Sequence, residues 1–263
     1  MKTKTILCAA LLAFISCNKM EQPTYHEQLF RVATVQTRLS KAWLAFDGYT
    51  DQPVIKNFRD TLDMARYNVK DGDRVMVSIS FDAVGDMNNS TFTLDELMVL
   101  DPLQFADTIP SDTLNSYYQF TEYCFVNFVY PDIWAAGHFV NVAPGFSIPS
   151  IDDKATFSIY PTGVKRDTLI MCVYSDIPTA RFGMNTEALL TCDISSLRKP
   201  AAGAQEQARR DSLLNILDRL DKDSIMVKVT MPDTLRALSS QSPGKYIKIV
   251  DSNTLSVKIP FDF

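Results

Sequence analysis

From Val75 to Phe81 the chain alternates, with Val75, Val77, Ile79 and Phe81 apolar and Met76, Ser78 and Ser80 between them. A period of two places every second side chain on one face of an extended backbone, so this segment predicts a half-buried strand. Asp71-Gly72-Asp73 precedes it as a turn. Comparable segments stand on both sides. Phe30-Arg31-Val32-Ala33-Thr34-Val35 is apolar and β-branched, and Ala42 to Phe46 runs into the turn pair Asp47-Gly48. Thr91 to Leu100 is a weaker strand carrying Leu94, Leu97, Val99 and Leu100. Within Asn57 to Tyr67, Phe58, Leu62, Ala65 and Arg66 fall at helical spacing, which predicts a short helix. Four or five strands with one interposed helix suit a small OB-like barrel over 29–104.

Residues 101–116 are rich in Asp, Thr, Pro and Ser, as a linker or crossover would be. A second strand series follows: Tyr117 to Tyr130, Phe139 to Val142, Ala155 to Tyr160, Thr168 to Tyr174 and Ala188 to Ile194. Its spacing, with Pro and Gly between strands, argues for a β-sandwich over 117–263. Ala201 to Asp221 breaks that pattern. Leu213, Leu214, Ile216, Leu217 and Leu220 form one apolar stripe, with Arg209, Arg210, Asp218, Arg219 and Asp221 mostly elsewhere. This predicts an amphipathic helix at 203–221 that covers a sheet or fills a crossover. Ile225 to Thr230, Tyr246 to Val250 and Thr254 to Ile259 read as closing strands, the last two joined by a hairpin turn at Asp251-Ser252-Asn253. The fold class expected is mainly β, a barrel then a sandwich, with one long helix.

The N-terminus sets the address. Lys2 and Lys4 precede an almost unbroken apolar run, Ile6 to Ile15, closed by Ser16-Cys17. That is the layout of a secretory signal. The run is too short to cross a hydrocarbon core of ~30 Å as a helix. A Cys directly after the small residue makes Phe14-Ile15-Ser16-Cys17 look like a lipobox, with the Cys17 thiol as the lipid attachment. Two or more acyl chains anchor a protein stably, since each buried CH₂ contributes about 0.8 kcal/mol. Residues 1–16 are then the signal and 17–28 a polar tether to the body. Losing the signal leaves 247 residues and moves the net charge from −5 to −7. An acidic body is poorly suited to a phosphate backbone, so nucleic acid is not an expected partner.

Residues for catalysis are scarce. The chain has two His, His26 and His138, and no HExxH, GxSxG, GxGxxG or GxxxxGK[ST] motif. Asp71-Gly72-Asp73 and Asp82 to Asp86 lack the spaced oxygen series of a calcium loop. No metal site, cofactor or catalytic residue is therefore expected. Paired carboxylates for glycoside hydrolysis remain open, because distant acids can meet in a fold. Beyond the signal and Cys17 there are three Cys, at 124, 172 and 192, each in an apolar stretch. They are buried small side chains or include one disulfide. The densest cluster is Pro131 to Val142, which holds one of two Trp and one of two His. Trp134 and His138 form a ligand-binding pair, for a sugar by stacking, or Trp134 is a buried corner residue with His138 satisfied by backbone.

Several of these segments occur together in one family. The lipobox at Cys17, Val32-Ala33-Thr34-Val35, the Trp43 to Gly48 strand and turn, Asp71-Gly72-Asp73-Arg74-Val75, and Asp132-Ile133-Trp134 through Phe139-Val140-Asn141-Val142 resemble the NigD-like lipoproteins of Bacteroidota. The resemblance covers roughly residues 1–200. It implies an N-terminal OB-like domain, a C-terminal β-sandwich and association with a periplasmic or cell-surface assembly; it carries no catalytic residue. The helix at 201–221 and the strands after it depart from the family pattern. The expected protein is an outer-membrane lipoprotein of the cell envelope, palmitoylated at Cys17, acting as a non-catalytic binding or accessory module with an envelope protein or glycan as partner. A glycan-binding lipoprotein or glycosidase, and a pilin- or adhesin-type subunit, are the alternatives.

Overall fold

The computed structural model describes residues 25–39, 41–48, 62–83, 92–108, 118–120, 124–125, 128–129, 133–148, 150, 155–176, 184–220, 222–230 and 254–261. The expected signal, Cys17, Phe58 and the expected Tyr246–Val250 strand with its Asp251–Asn253 turn lie outside these residues. The chain is mainly β with one long helix, as its alternation predicts.

Four strands build the N-terminal sheet: β1 (Tyr25–Arg38), β2 (Lys41–Phe46), β3 (Arg74–Ala83) and β4 (Phe92–Val99), with the short helix α1 (Met64–Tyr67) between β2 and β3. The order is β2-β1-β3-β4 and each pair is antiparallel. Among the described residues the edge strands β2 and β4 do not pair with each other, so no closed barrel is seen. β1 begins at Tyr25, which places residues expected in the tether inside the sheet. Its length comes from two partners. Residues 25–34 pair with β3 and residues 33–38 with β2. One face of the sheet, with Ala33, Val35, Leu44, Val75, Val77 and Ile79, closes over Leu62 and Val69 as an apolar core. Gly48 and Gly72 turn the chain at φ +82° and +83°, the left-handed region that side chains resist. The Asp71 and Asp73 carboxylates accept backbone N–H bonds from Thr37 and Lys70, fastening that turn to the end of β1.

The remaining strands are β5 (Tyr118–Phe120), β6 (Cys124–Phe125), β7 (Phe128–Val129), β8 (Ile133–Ala136), β9 (Phe139–Val142), β10 (Pro144–Ile148), β11 (Thr156–Lys165), β12 (Thr168–Asp176), β13 (Met184–Glu187), β14 (Leu190–Asp193), β15 (Ser224–Thr230) and β16 (Thr254–Pro260); helix α2 (Ala204–Asp218) lies between β14 and β15. A three-stranded sheet, β14-β9-β8, faces a four-stranded one, β11-β12-β15-β16. Val140, Val142, Leu190 and Cys192 from the first meet Ile159, Leu169, Met171, Val173, Ile225, Val227 and Val229 from the second in one core. This is the expected sandwich. β12 and β15 are parallel, which requires a crossover, and α2 lies on it. The region expected to be one long strand from Tyr117 to Tyr130 instead holds β5, β6 and β7, which belong to two smaller sheets, β13-β10-β5 and β6-β7.

The segment after β4 is not a free linker along its described part. Leu103 bridges Cys192, Phe105 bridges Ile159, and Phe105 is buried in the sandwich core. Arg210 of α2 holds the same segment. Its guanidinium is 3 % exposed and donates to the Phe105 carbonyl and the Asp107 carboxylate, both at 2.7 Å. The inner face of α2 is therefore Glu206, Arg210, Leu213 and Leu217, all buried, at helical spacing. Two expectations change here: Arg210 lies on the buried face, and Ile216 of the supposed stripe is 43 % exposed.

Candidate functional site

The segments singled out by sequence converge between the N-terminal sheet and the β14-β9-β8 sheet. In a strand, residues directly opposite each other across a pair project to the same face. Thr34 is in register with Arg74 across β1 and β3. Trp134, Asn141 and Thr191 are in register across β8, β9 and β14. The two rows meet, with Asp47 at the end of β2 between them. The Asp47 backbone is fixed by donating its N–H to Val32 O at 3.0 Å, next to the Gly48 turn.

Arg74 and Asp47 form a bidentate ion pair. Nη1 lies 2.7 Å from Oδ1 and Nη2 lies 2.5 Å from Oδ2. Both side chains are shut off from solvent, at 0 % and 1 % exposure. The Trp134 indole N–H donates to Asp47 Oδ2 at 2.8 Å. Asn141 Nδ2 donates to the same oxygen at 3.4 Å, and its Oδ1 accepts from Arg74 Nη2 at 3.2 Å and from the Thr191 hydroxyl at 2.9 Å. Arg74 Nη1 also donates to Thr34 Oγ1 at 2.8 Å. The guanidinium stands 5.1 Å from the centre of the Phe139 ring. Arg74 Nε has no partner among the described residues.

Trp134 is 7 % exposed, packed against Val32 with Leu100 and Leu189 at its margin. Its polar edge is engaged by Asp47 and its body by that small apolar cluster. The two candidate ligand residues do not share a surface. His138 sits on the two-residue turn between β8 and β9, after Gly137 at φ +56°, with 39 % of its side chain exposed. Its ring is tilted against Phe139, with centroids 4.1 Å apart. Its Nε2 is 3.7 Å from Asp193 Oδ1, a distance for an ion pair and too long for a hydrogen bond. Asp193 is better engaged elsewhere: Ser195 Oγ donates to it at 2.5 Å and Lys199 Nζ at 3.1 Å. Ser195 bonds the carboxylate and not the imidazole, so the cluster lacks the base–nucleophile contact of an acyl-transfer site. Among the described residues no group of three or more His, Cys, Asp or Glu is placed to hold a metal ion.

Cys172 and Cys192 are both buried, and no disulfide joins them. Burial pushes the Cys192 thiol up to about 12, so it carries no thiolate at neutral pH. At α2, burial pushes the Glu206 carboxyl up, but hydrogen bonds from Arg209 and Arg210 outweigh it and hold it below the usual range. Tyr160 reaches Glu206 with its hydroxyl, and burial raises its pKa. These groups hold α2 to the middle of β11, where Arg209 also donates to the Pro161 carbonyl.

Sequence reasoning missed Asp47 and Arg74 as a site. Both stood in the quoted segments, as a turn residue and a strand opener. Asn141 looked like one residue of a short strand. The available signal was Thr34, Asn141 and Thr191, polar residues each between two apolar neighbours in a strand; nothing local said that they would meet Asp47 and Arg74.

No protein-family model matches the chain, and no curated protein matches it. Solved structures do resemble it. A candidate toxin-related protein from Parabacteroides distasonis is 10% identical, with 89% of this chain and 93% of that one covered and a TM-score of 0.47. A candidate lipoprotein from Bacteroides fragilis is 9% identical, with 89% and 97% covered and a TM-score of 0.46. The solved structures similar to this chain also include a NigD-like immunity protein from Bacteroides caccae, 13% identical over 77% of this chain and 84% of that one, with a TM-score of 0.42.

Proposed function

We propose that this chain is the precursor of a cell-envelope lipoprotein: it is cut before Cys17, acylated there, and held at the outer membrane with its β body acting as a non-catalytic accessory or binding module. The observation that carries the reading is the leader itself, Lys2 and Lys4, the apolar run Ile6 to Ile15, and Ser16-Cys17. The disposition of the reactive groups supports the non-catalytic part. Asp47, Arg74, Glu206 and Arg210 are buried and bonded to one another or to backbone. Groups with these roles hold elements together and are not positioned to move a substrate proton. A body of this kind works through its surface shape, and its partner is an envelope protein or a glycan.

The test is lipidation. Cells grown with a palmitate analogue should label the wild-type protein, which should enter the detergent phase on phase separation. Cys17→Ser should lose the label and move to the aqueous phase. A Cys17→Ser protein that still enters the detergent phase overturns the lipoprotein reading. Turnover of esters, glycosides, peptides or phosphate esters, abolished by changing one acidic residue, overturns the non-catalytic part.

A further inference from the structure

We propose that the buried Asp47–Arg74 pair is a latch that fixes one orientation of the N-terminal sheet on the sandwich and couples the unfolding of the two. Three hydrogen bonds cross the junction: Trp134 to Asp47, Asn141 to Asp47, and Arg74 to Asn141. The apolar contact beside them is small, with Val32 and Trp134 buried and Leu100 and Leu189 at the margin. Such a patch slides or rotates at little cost, because apolar packing is non-directional. The three crossing bonds do not, because hydrogen bonds are directional and all three end on the Asp47–Arg74 pair, whose two parallel bonds within the N-terminal sheet hold the receiving atoms in one geometry.

The energetics argue for orientation over raw stability. Burying both charges carries a desolvation cost that apolar residues of like volume avoid. Arg74 Nε is left over without a partner among the described residues, which adds to that cost. What the pair provides is discrimination. Turning the halves out of register separates Trp134 Nε1 and Asn141 from Asp47 and leaves a buried charge under-bonded. Neither half completes the shell alone. The N-terminal sheet supplies Thr34, Asp47 and Arg74, and the sandwich supplies Trp134, Asn141 and Thr191.

The experiment compares urea unfolding of the full chain in detergent, followed by far-ultraviolet circular dichroism and by Trp fluorescence. The wild type should unfold in one transition with both probes coincident. Asp47→Asn should split it, with the N-terminal half unfolding first. Val77→Ala, a change in the N-terminal core away from the junction, should lower the midpoint and keep one transition. If Asp47→Asn does not fold, Asp47→Leu/Arg74→Met decides: it removes both charges at similar total volume, and it should fold and unfold in two steps. A single transition in Asp47→Asn, or in the double variant, overturns the latch. So does a wild type that already unfolds in two.

Discussion

Glu206 shows what one residue contributes through its charge state. Its carboxyl is held below the usual range by Arg209 and Arg210, against the opposing effect of burial. A depressed folded pKa contributes stability that is fully present above the unfolded value, close to 4.5. That stability is lost as the pH falls below this value and through the folded pKa. Unfolding free energy measured from pH 6 down to pH 3 should therefore fall in the wild type. Glu206→Gln should start lower at pH 6 and lose this part of the slope. Equal slopes would mean that Glu206 is not held by its arginines. Cys192 gives a second check at the same scale. Buried and with its thiol pushed up to about 12, it should resist iodoacetamide in the native protein and react in denaturant. Peptide mapping by mass spectrometry would read this, and native labelling at Cys192 would show that the core opens. The burial of Cys192 was legible in its apolar stretch; the role of Glu206 was not. A Glu four residues before an Arg reads as a solvated helix pair; here Tyr160, the carbonyls of Ser196 and Lys199 and the segment at Phe105 and Asp107 surround it.

Among elements, α2 was found by its pattern, and Leu213 and Leu217 of the expected stripe are buried with Leu214 and Leu220 packed beside them, while Ile216 and Arg210 lie opposite to expectation. The leucine spacing predicts a helix, and a helix spans Ala204–Asp218. Its buried face combines Leu213 and Leu217 with Glu206 and Arg210, because the surface beneath offers backbone carbonyls as well as apolar side chains. Periodicity sorts residues by polarity, and so it turned Arg210 outward and Ile216 inward. The two faces separate by substitution. Leu217→Ala should cost about 2–5 kcal/mol of stability, as for a filled core site. Ile216→Ala should change stability by no more than about 0.5 kcal/mol, as at exposed positions. Denaturant unfolding of both variants checks the assignment, and comparable losses would place the helix differently. The strands fared better. Phe139–Val142 and Lys41–Phe46 lie where alternation and turn residues put them. β8, β10 and β13 were missed, being short and carrying Ala, Pro, Gly, Asn or Glu, residues with weak strand preference.

At the scale of the whole molecule, the described part of the chain between the two halves, 101–108, is docked on the core. Phe105 is 5 % exposed between β11 and the segment after β14. Phe105→Ala should cost about 3–5 kcal/mol, read from urea midpoints, where a free linker would tolerate it. Proteolysis should spare 101–108 in the native protein. The composition of 101–116 suggested a linker because Asp, Thr and Pro lack a strand period, yet two bridges and one buried aromatic suffice to dock 101–108. The sequence by itself determined the mainly β character, most strand positions and the presence of the long helix. Each depends on local period or on a contiguous motif, which any chain carries in its own order of residues. Only the tertiary structure decided that Asp47, Arg74, Trp134, Asn141 and Thr191 form one buried network, and that His138 stands apart from Trp134. Those residues are up to 144 positions apart. Their meeting depends on how two sheets are set against each other, and a buried charge is tolerated only where that setting supplies its partners.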